Sequence, residues 1–165
     1  MGVRIKMSAE YVFVLVTWNN CQACKHFFKY TWDLLKENII QLGRINIVHV
    51  ERVTKKDEDG VVSDTFVSDS VYNQGITSYV QFFPGFFMIP IDKWNASPLV
   101  IGKDNIYGVD DSLKPSPTMK MDIASLTEWI GAFVKLRPVP NISDPIRRYN
   151  INPKISRTSL NDEIL

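Results

Sequence analysis

Hydrophobic and polar positions divide this chain into a short series of elements. From Tyr11 to Thr17 it runs Y-V-F-V-L-V-T without polar alternation, the pattern of a strand covered on both faces, as in the middle of a parallel sheet. Asn19 and Asn20 supply a turn, and Asn20 is expected to cap a helix over residues 21–42. Along that helix Phe28, Trp32, Leu35 and Ile39 form a core-facing stripe, with Lys25, Lys29, Asp33, Lys36 and Glu37 on other faces and Gly43 as its end. Ile45 to Glu51 reads as a second strand, parallel to the first across the helical crossover.

The next stretches are expected as follows. Thr54 to Gly60 is a charged, solvated loop, and Ser63 to Gln74 reads as a short helix. Pro84 and Pro90 bracket an apolar strand, because neither could donate to a ladder in its middle. Residues 92–120 form an insertion holding a short strand, Pro98 to Gly102, and a second candidate, Ile106 to Val109. Asp122 caps a last helix, whose buried stripe is Ile123, Leu126, Ile130 and Phe133 with Trp129 beside it. Arg137 and Pro138 end it. Residues 137–165 carry Pro138, Pro140, Pro145 and Pro153 and have neither helical nor strand periodicity, so they read as an extended Pro-rich arm. The expected layout is a domain over residues 1–136, interrupted at about 92–120, followed by this arm.

Composition narrows the function classes. With 165 residues, 45% of them hydrophobic, the chain can bury one sizeable core. A net charge of +1 supplies no basic field for nucleic acid or acidic lipid. No apolar run reaches the roughly 18 to 20 residues of a membrane-spanning helix, and the first residues lack the pattern of a secretory signal. The expected setting is therefore the cytoplasm or a particle assembled inside the cell. In that reducing environment a cysteine pair is more often reactive or metal-binding than a structural staple.

The chain has two cysteines, Cys21 and Cys24, two residues apart where the first strand becomes a helix. Such a C-x-x-C in a βαβ setting is a thiol–disulfide signature. Near a helix start, Cys21 meets the positive end of the macrodipole, while Cys24 lies one turn deeper and shielded. Three readings stay open at this point: exchange, an inert or structural pair, and a metal site. The last would need two more ligands, and His26 and His49, the only histidines, are poorly placed for a tetrahedral set. No metal and no cofactor is expected. His49, on an apolar strand, reads as a satisfied core histidine, and the phenylalanines around Phe82, Phe83, Phe86 and Phe87 read as core.

Taken together, these features resemble the thioredoxin-fold family, including the domains of protein disulfide isomerases. The likeness rests on the buried strand ending in Trp18, the Cys21-Gln22-Ala23-Cys24-Lys25 turn, the Phe82-Phe83-Pro84-Gly85 strand start, and the closing helix. It implies an α/β fold of three layers, with a mixed central sheet flanked by helices. It further implies that Cys21 attacks a substrate disulfide, that Cys24 resolves the mixed disulfide, and that Trp18 and an exposed edge at a cis Pro84 guide an extended protein segment. The chain departs from the family pattern in three ways. The family's buried carboxylate, six residues before the first cysteine, is here Leu15; Trp18 is separated from Cys21 by two asparagines; and the insertion and arm exceed what a compact redox carrier needs. The expected partners are accordingly either a disulfide substrate or, in an alternative without catalysis, the neighbours in a homodimer or a large assembly such as a capsid, contacted through residues 138–165.

Overall fold

The computed structural model describes residues 8–135; the expected arm lies outside the described residues. Its centre is a four-stranded mixed sheet in the order β3-β2-β1-β4. Strand β1 (Tyr11–Trp18) pairs in parallel with β2 (Ile45–Lys56) and antiparallel with β4 (Gly85–Pro90), and β2 pairs antiparallel with β3 (Val62–Ser68). The fold class is α/β, as expected, with β1 inside the sheet.

The unbroken apolar run of β1 is explained by what lies on its two sides. Val12, Val14 and Val16 enter one hydrophobic cluster, with Val48 and Val50 of β2 and Phe87 and Ile89 of β4. Phe13 and Leu15 enter another, with Phe86 and Met88. Because successive strand residues point to opposite faces, every residue from Val12 to Thr17 is buried.

One face is covered by helices α1 (Gln22–Phe27), α2 (Asp33–Leu42) and α4 (Ile123–Lys135), which supply Phe27, Leu35, Ile39, Leu126 and Ile130 to the second cluster. Between α1 and α2 the helical run passes through a π-helical segment, Phe28–Trp32, so the expected single helix has the expected extent but not a uniform pitch. Its inward residues are Cys24, Phe27, Trp32, Leu35 and Ile39. The five-residue step from Phe27 to Trp32 stays on one face only where a turn widens, which is what a π-turn does. Gly43, at φ 77°, closes α2 as expected.

The opposite face is covered by the 3₁₀ turn Gln74–Tyr79, the single-turn helix α3 (Ile91–Trp94) and the chain from Leu99 to Ile106. Here two expectations are corrected. Ser63 to Gln74 is not a short helix: Val62–Ser68 forms β3, and β2 runs on through Thr54, Lys55 and Lys56 to make a hairpin. Valine, threonine and phenylalanine in V-S-D-T-F-V-S favour a pleated surface over a helix, and Asp57 organises the turn by accepting from the Asp59 and Val61 N–H groups at 2.9 and 2.8 Å. The second correction is that Pro98 to Gly102 joins no ladder. Its Leu99 and Ile101 are buried, but their backbone is met by the Tyr79 hydroxyl, which donates to Leu99 O and accepts from Ile101 N–H at 3.1 and 3.4 Å. Ile106 makes only a single bridge, to Phe87.

At α4, Asp122 caps as expected: its Oδ1 accepts from the Ser125 N–H at 2.7 Å. Leu126 and Ile130 are buried, while Ile123 and Phe133 are half-buried at the rim. Truncating Leu126 to alanine should cost about 2–5 kcal/mol in urea unfolding. Val71→Ala, at a side chain almost wholly in solvent, should change stability by no more than about 0.5 kcal/mol in the same measurement.

Candidate functional site

Two cysteines meet where β1 gives way to α1. Trp18 O accepts from the Cys21 N–H at 3.2 Å, closing a turn over Asn19 and Asn20. Asn19 ties this turn to β2: its side chain donates to Thr54 O at 3.1 Å and accepts from the Thr54 N–H at 2.9 Å. With Asn19 engaged there and Asn20 in solvent, the helix is capped by Cys21 and not by Asn20 as expected. The Cys21 sulfur itself accepts from the Cys24 N–H at 3.1 Å. That N–H is one of the donors a helix start leaves without an intrahelical partner, and it is worth more to an anionic sulfur than to a thiol.

Both thiols are free, and the pair stands 2.6 Å apart. They are not equivalent. Cys21 keeps 9% of its surface exposed and donates to Phe83 O at 3.7 Å, whereas Cys24 keeps 2%. Burial, reinforced by the Cys21 side chain, pushes the Cys24 thiol up to about 12, against the partial relief of a backbone hydrogen bond from Trp18. The outer sulfur is therefore the one presented to a reactant, and the inner one is held as a thiol.

Phe83 brings β4 to this place, and the Phe83–Pro84 peptide bond is cis. Pro84 was expected to offer an exposed edge, but it is buried, at the head of a strand buried from Gly85 to Ile89. What meets the dithiol instead is the Phe83 carbonyl; the half-buried rings of Phe83 and Trp18 stand 5.8 Å apart. Trp18 donates through its indole N–H to Thr54 Oγ1 at 2.8 Å. Its ring lies under the Arg52 guanidinium, 4.7 Å from the centroid, and Arg52 also reaches over Phe83 at 6.0 Å.

Arg52 and Asp64 are not legible as partners in the sequence, where residues 45–51 read as a strand, 54–60 as a loop and 63–74 as a helix; only the β2–β3 hairpin brings them together. Arg52 donates to the Asp64 carboxylate at 2.7 Å, and Thr54 Oγ1 donates to the same carboxylate. The Arg52 hydrogen bond is the main reason that the Asp64 carboxyl lies below its ordinary range. The exposed pair adds little stability, but it orients the guanidinium over Trp18, where cation–π attraction favours it.

Leu15 is fully buried among Phe13, Phe27 and Phe86, so no carboxylate stands at that position. His49 is beside it on β2, in register with Leu15. Its Nε2 lies 2.7 Å from Thr17 Oγ1, and the Phe28 ring meets the imidazole edge-on at 5.3 Å. His26 is exposed on α1 against Tyr30. Among the described residues no group of three or more His, Cys, Asp or Glu side chains converges on a point that would hold a metal ion. None of the helices described is long and apolar enough to cross a membrane. Compared with protein-family models, curated proteins and solved structures, the chain has no match.

At pH 8 a small alkylating reagent should modify Cys21 and leave Cys24 slower by about 10²-fold or more, because only the thiolate reacts and burial keeps Cys24 protonated. Mass spectrometry of tryptic peptides reads the ratio. As the Cys24 thiol is raised toward about 12, its labelling should still be climbing with pH above 10. A Cys24 rate that has levelled off by pH 9 would contradict the assignment of inner and outer sulfur.

Proposed function

We propose that this chain is a thioredoxin-like protein that carries out thiol–disulfide exchange on protein disulfides, with Cys21 as attacking sulfur and Cys24 as resolving sulfur. One observation carries the reading: the Cys21 sulfur is the acceptor for a free N–H in the first turn of α1, that of Cys24, while remaining the more exposed of two adjacent free thiols. A nucleophilic sulfur needs stabilised negative charge and access, and a resolving sulfur needs proximity and protection from competing reactants. The unequal burial of the pair answers both needs. The Phe83–Pro84 turn beside the outer sulfur and the mixed sheet behind it supply the surroundings that such chemistry uses.

In the exchange, the Cys21 thiolate attacks one sulfur of a substrate disulfide, forming a mixed disulfide and releasing the first substrate thiolate. Cys24 then attacks the Cys21 sulfur, the bond from Cys21 to the substrate breaks, and the second thiolate leaves. The substrate gains two electrons and the pair becomes a disulfide. Phe83, whose carbonyl meets the outer sulfur, and Trp18, whose ring stands by that of Phe83, serve as an apolar rim for the substrate, and the Arg52 guanidinium packs over Trp18.

Cys21→Ser should reduce dithiothreitol-driven reduction of insulin disulfides to the uncatalysed background, with circular dichroism unchanged. Cys24→Ser should instead accumulate a mixed disulfide, visible as a mass adduct on Cys21. Insulin reduction by Cys21→Ser at the rate of the wild type would refute the exchange reading.

A second reading, a structural or assembly component, is favoured by one feature. β3 is an edge strand whose hairpin exposes Val61, Val62 and Val67, with Val71 just beyond it, and exposed apolar edges are surfaces for pairing with other chains. Under this reading residues 138–165 make further contacts with a neighbouring copy or a larger particle. Deleting residues 138–165 should then lower the mass measured by light scattering from oligomer to monomer. A chain that is monomeric with and without those residues would remove the self-assembly form of this reading.

A further inference from the structure

A thiol held as firmly protonated as Cys24 cannot resolve a mixed disulfide until something takes its proton. Leu15 cannot, and the neighbouring side chains on the first strand are apolar up to Thr17. Thr17 is a polar residue buried to 1% exposure in an otherwise hydrophobic strand. It leaves β1 on the same side as Phe13 and Leu15, toward the helices. The residue after it, Trp18, offers its backbone N–H to Cys24. On the far side of Thr17 lies His49, whose ring is closed off by Phe28, one helical turn after Cys24.

We propose that His49, acting through the Thr17 hydroxyl, receives the proton that Cys24 gives up as it closes the Cys21–Cys24 disulfide. The inference rests on the exchange reading above and adds to it the route of the proton. With His49 Nε2 bare, Thr17 donates its hydroxyl proton to that nitrogen across 2.7 Å, and Thr17 Oγ1 keeps a lone pair on the helix side of β1, next to the Trp18 N–H that meets Cys24, for the Cys24 S–H to reach as it turns to attack. As Cys24 attacks, its proton passes to Thr17 Oγ1 while the Thr17 proton passes to His49 Nε2. The new bond joins Cys24 to Cys21, the bond from Cys21 to the substrate sulfur breaks, and the departing thiolate or water later takes the proton from the imidazolium. Electrons and protons balance without any further reagent.

Charge around the imidazole suits this task. Burial holds the His49 imidazole below its ordinary range, so the ring is neutral and able to accept at neutral pH. Glu51 on the same strand and Asp69 beyond β3 favour the imidazolium once it forms, while Lys36 of α2 opposes it; of the titratable residues of α1, Lys25 and His26 are exposed and Cys24 is the inward one. Glu51 also acts on Cys24, favouring its thiol. The sign of the pH effect follows. Above the lowered titration of His49 the acceptor is available, and as pH falls through that titration the acceptor is lost and resolution slows.

The two steps can be timed separately in the full chain with dithiobis(nitrobenzoate), a coloured disulfide. The first release of nitrothiobenzoate reports attack by Cys21, and the second reports resolution by Cys24. In wild type the second step should be constant at neutral pH and fall in acid. His49→Leu and the near-isosteric Thr17→Val should slow the second release by roughly 10²-fold at neutral pH and give it a rate that rises steadily with pH. Thr17→Ser, which keeps the hydroxyl, should restore both rate and profile. The first release, which needs only Cys21, should keep its wild-type rate throughout. A second release with wild-type rate and profile in both His49→Leu and Thr17→Val overturns the proton route while leaving the exchange reading intact. So does a profile abolished by Glu51→Gln and kept by His49→Leu, which moves the role to Glu51. A wild-type chain that gives no first release overturns the exchange reading and this inference together.

Discussion

The structure depends on one constraint: β1 has to be apolar on both faces at once. A strand inside the sheet and between two covering layers has no side that tolerates a polar chain, and Val12 to Val16 meet that demand without exception. The two clusters built on it hold the helices on one side and the 3₁₀ turn, α3 and the 99–106 stretch on the other. Where the demand ends, at Thr17 and Trp18, polar partners appear immediately: His49 for the threonine and Thr54 for the indole. The two cysteines lie just past this boundary.

Three separate segments converge there. The turn after β1 brings the cysteines, Phe83 and Pro84 lead into β4, and the β2–β3 hairpin supplies Asn19's partner, the Arg52 cover over Trp18 and the Asp64 that orients it. A helix start alone would leave Cys21 on a fraying end. Anchoring Asn19 to the Thr54 backbone fixes the turn, and the sulfur of Cys21 takes over the capping duty that an asparagine was expected to perform. The residue with the outer sulfur is thereby also the residue that starts the helix, so its position cannot drift without unravelling the first turn.

For the proposed exchange, the inner face of the same boundary sets the protonation problem. Burying Cys24 protects it and raises it, and the absence of a carboxylate at Leu15 removes the simplest acceptor. Whatever accepts the proton has to be polar, at least half-buried and already supported by neighbours. Among the residues at this boundary Thr17 and His49 meet these conditions, because each satisfies the hydrogen-bonding need that burial imposes on the other.

Much of this was legible in the amino-acid order. The two-sided burial of β1, the parallel step to β2, the dithiol at the strand-to-helix turn, the Gly43 stop and the Asp122 cap each follow from local pattern, since periodicity and capping are properties of neighbouring residues. The hairpin was not legible, because a charged stretch around Asp57 and Glu58 looks the same whether it is a long loop or a two-strand turn, and only the β2 edge decides which. Nor was the π-turn, which is recognised only once the inward face of the helix is known. Arg52, Asp64 and the Thr17–His49 pair became visible through cross-strand register, which brings residues 12 to 32 positions apart into contact. The sequence by itself thus determined which segments are strands and helices at the centre and where the cysteines sit. The tertiary structure decided which sulfur is outer, which side chains surround it and where a proton could go, because burial and charge at a point are sums over segments that the chain order keeps apart.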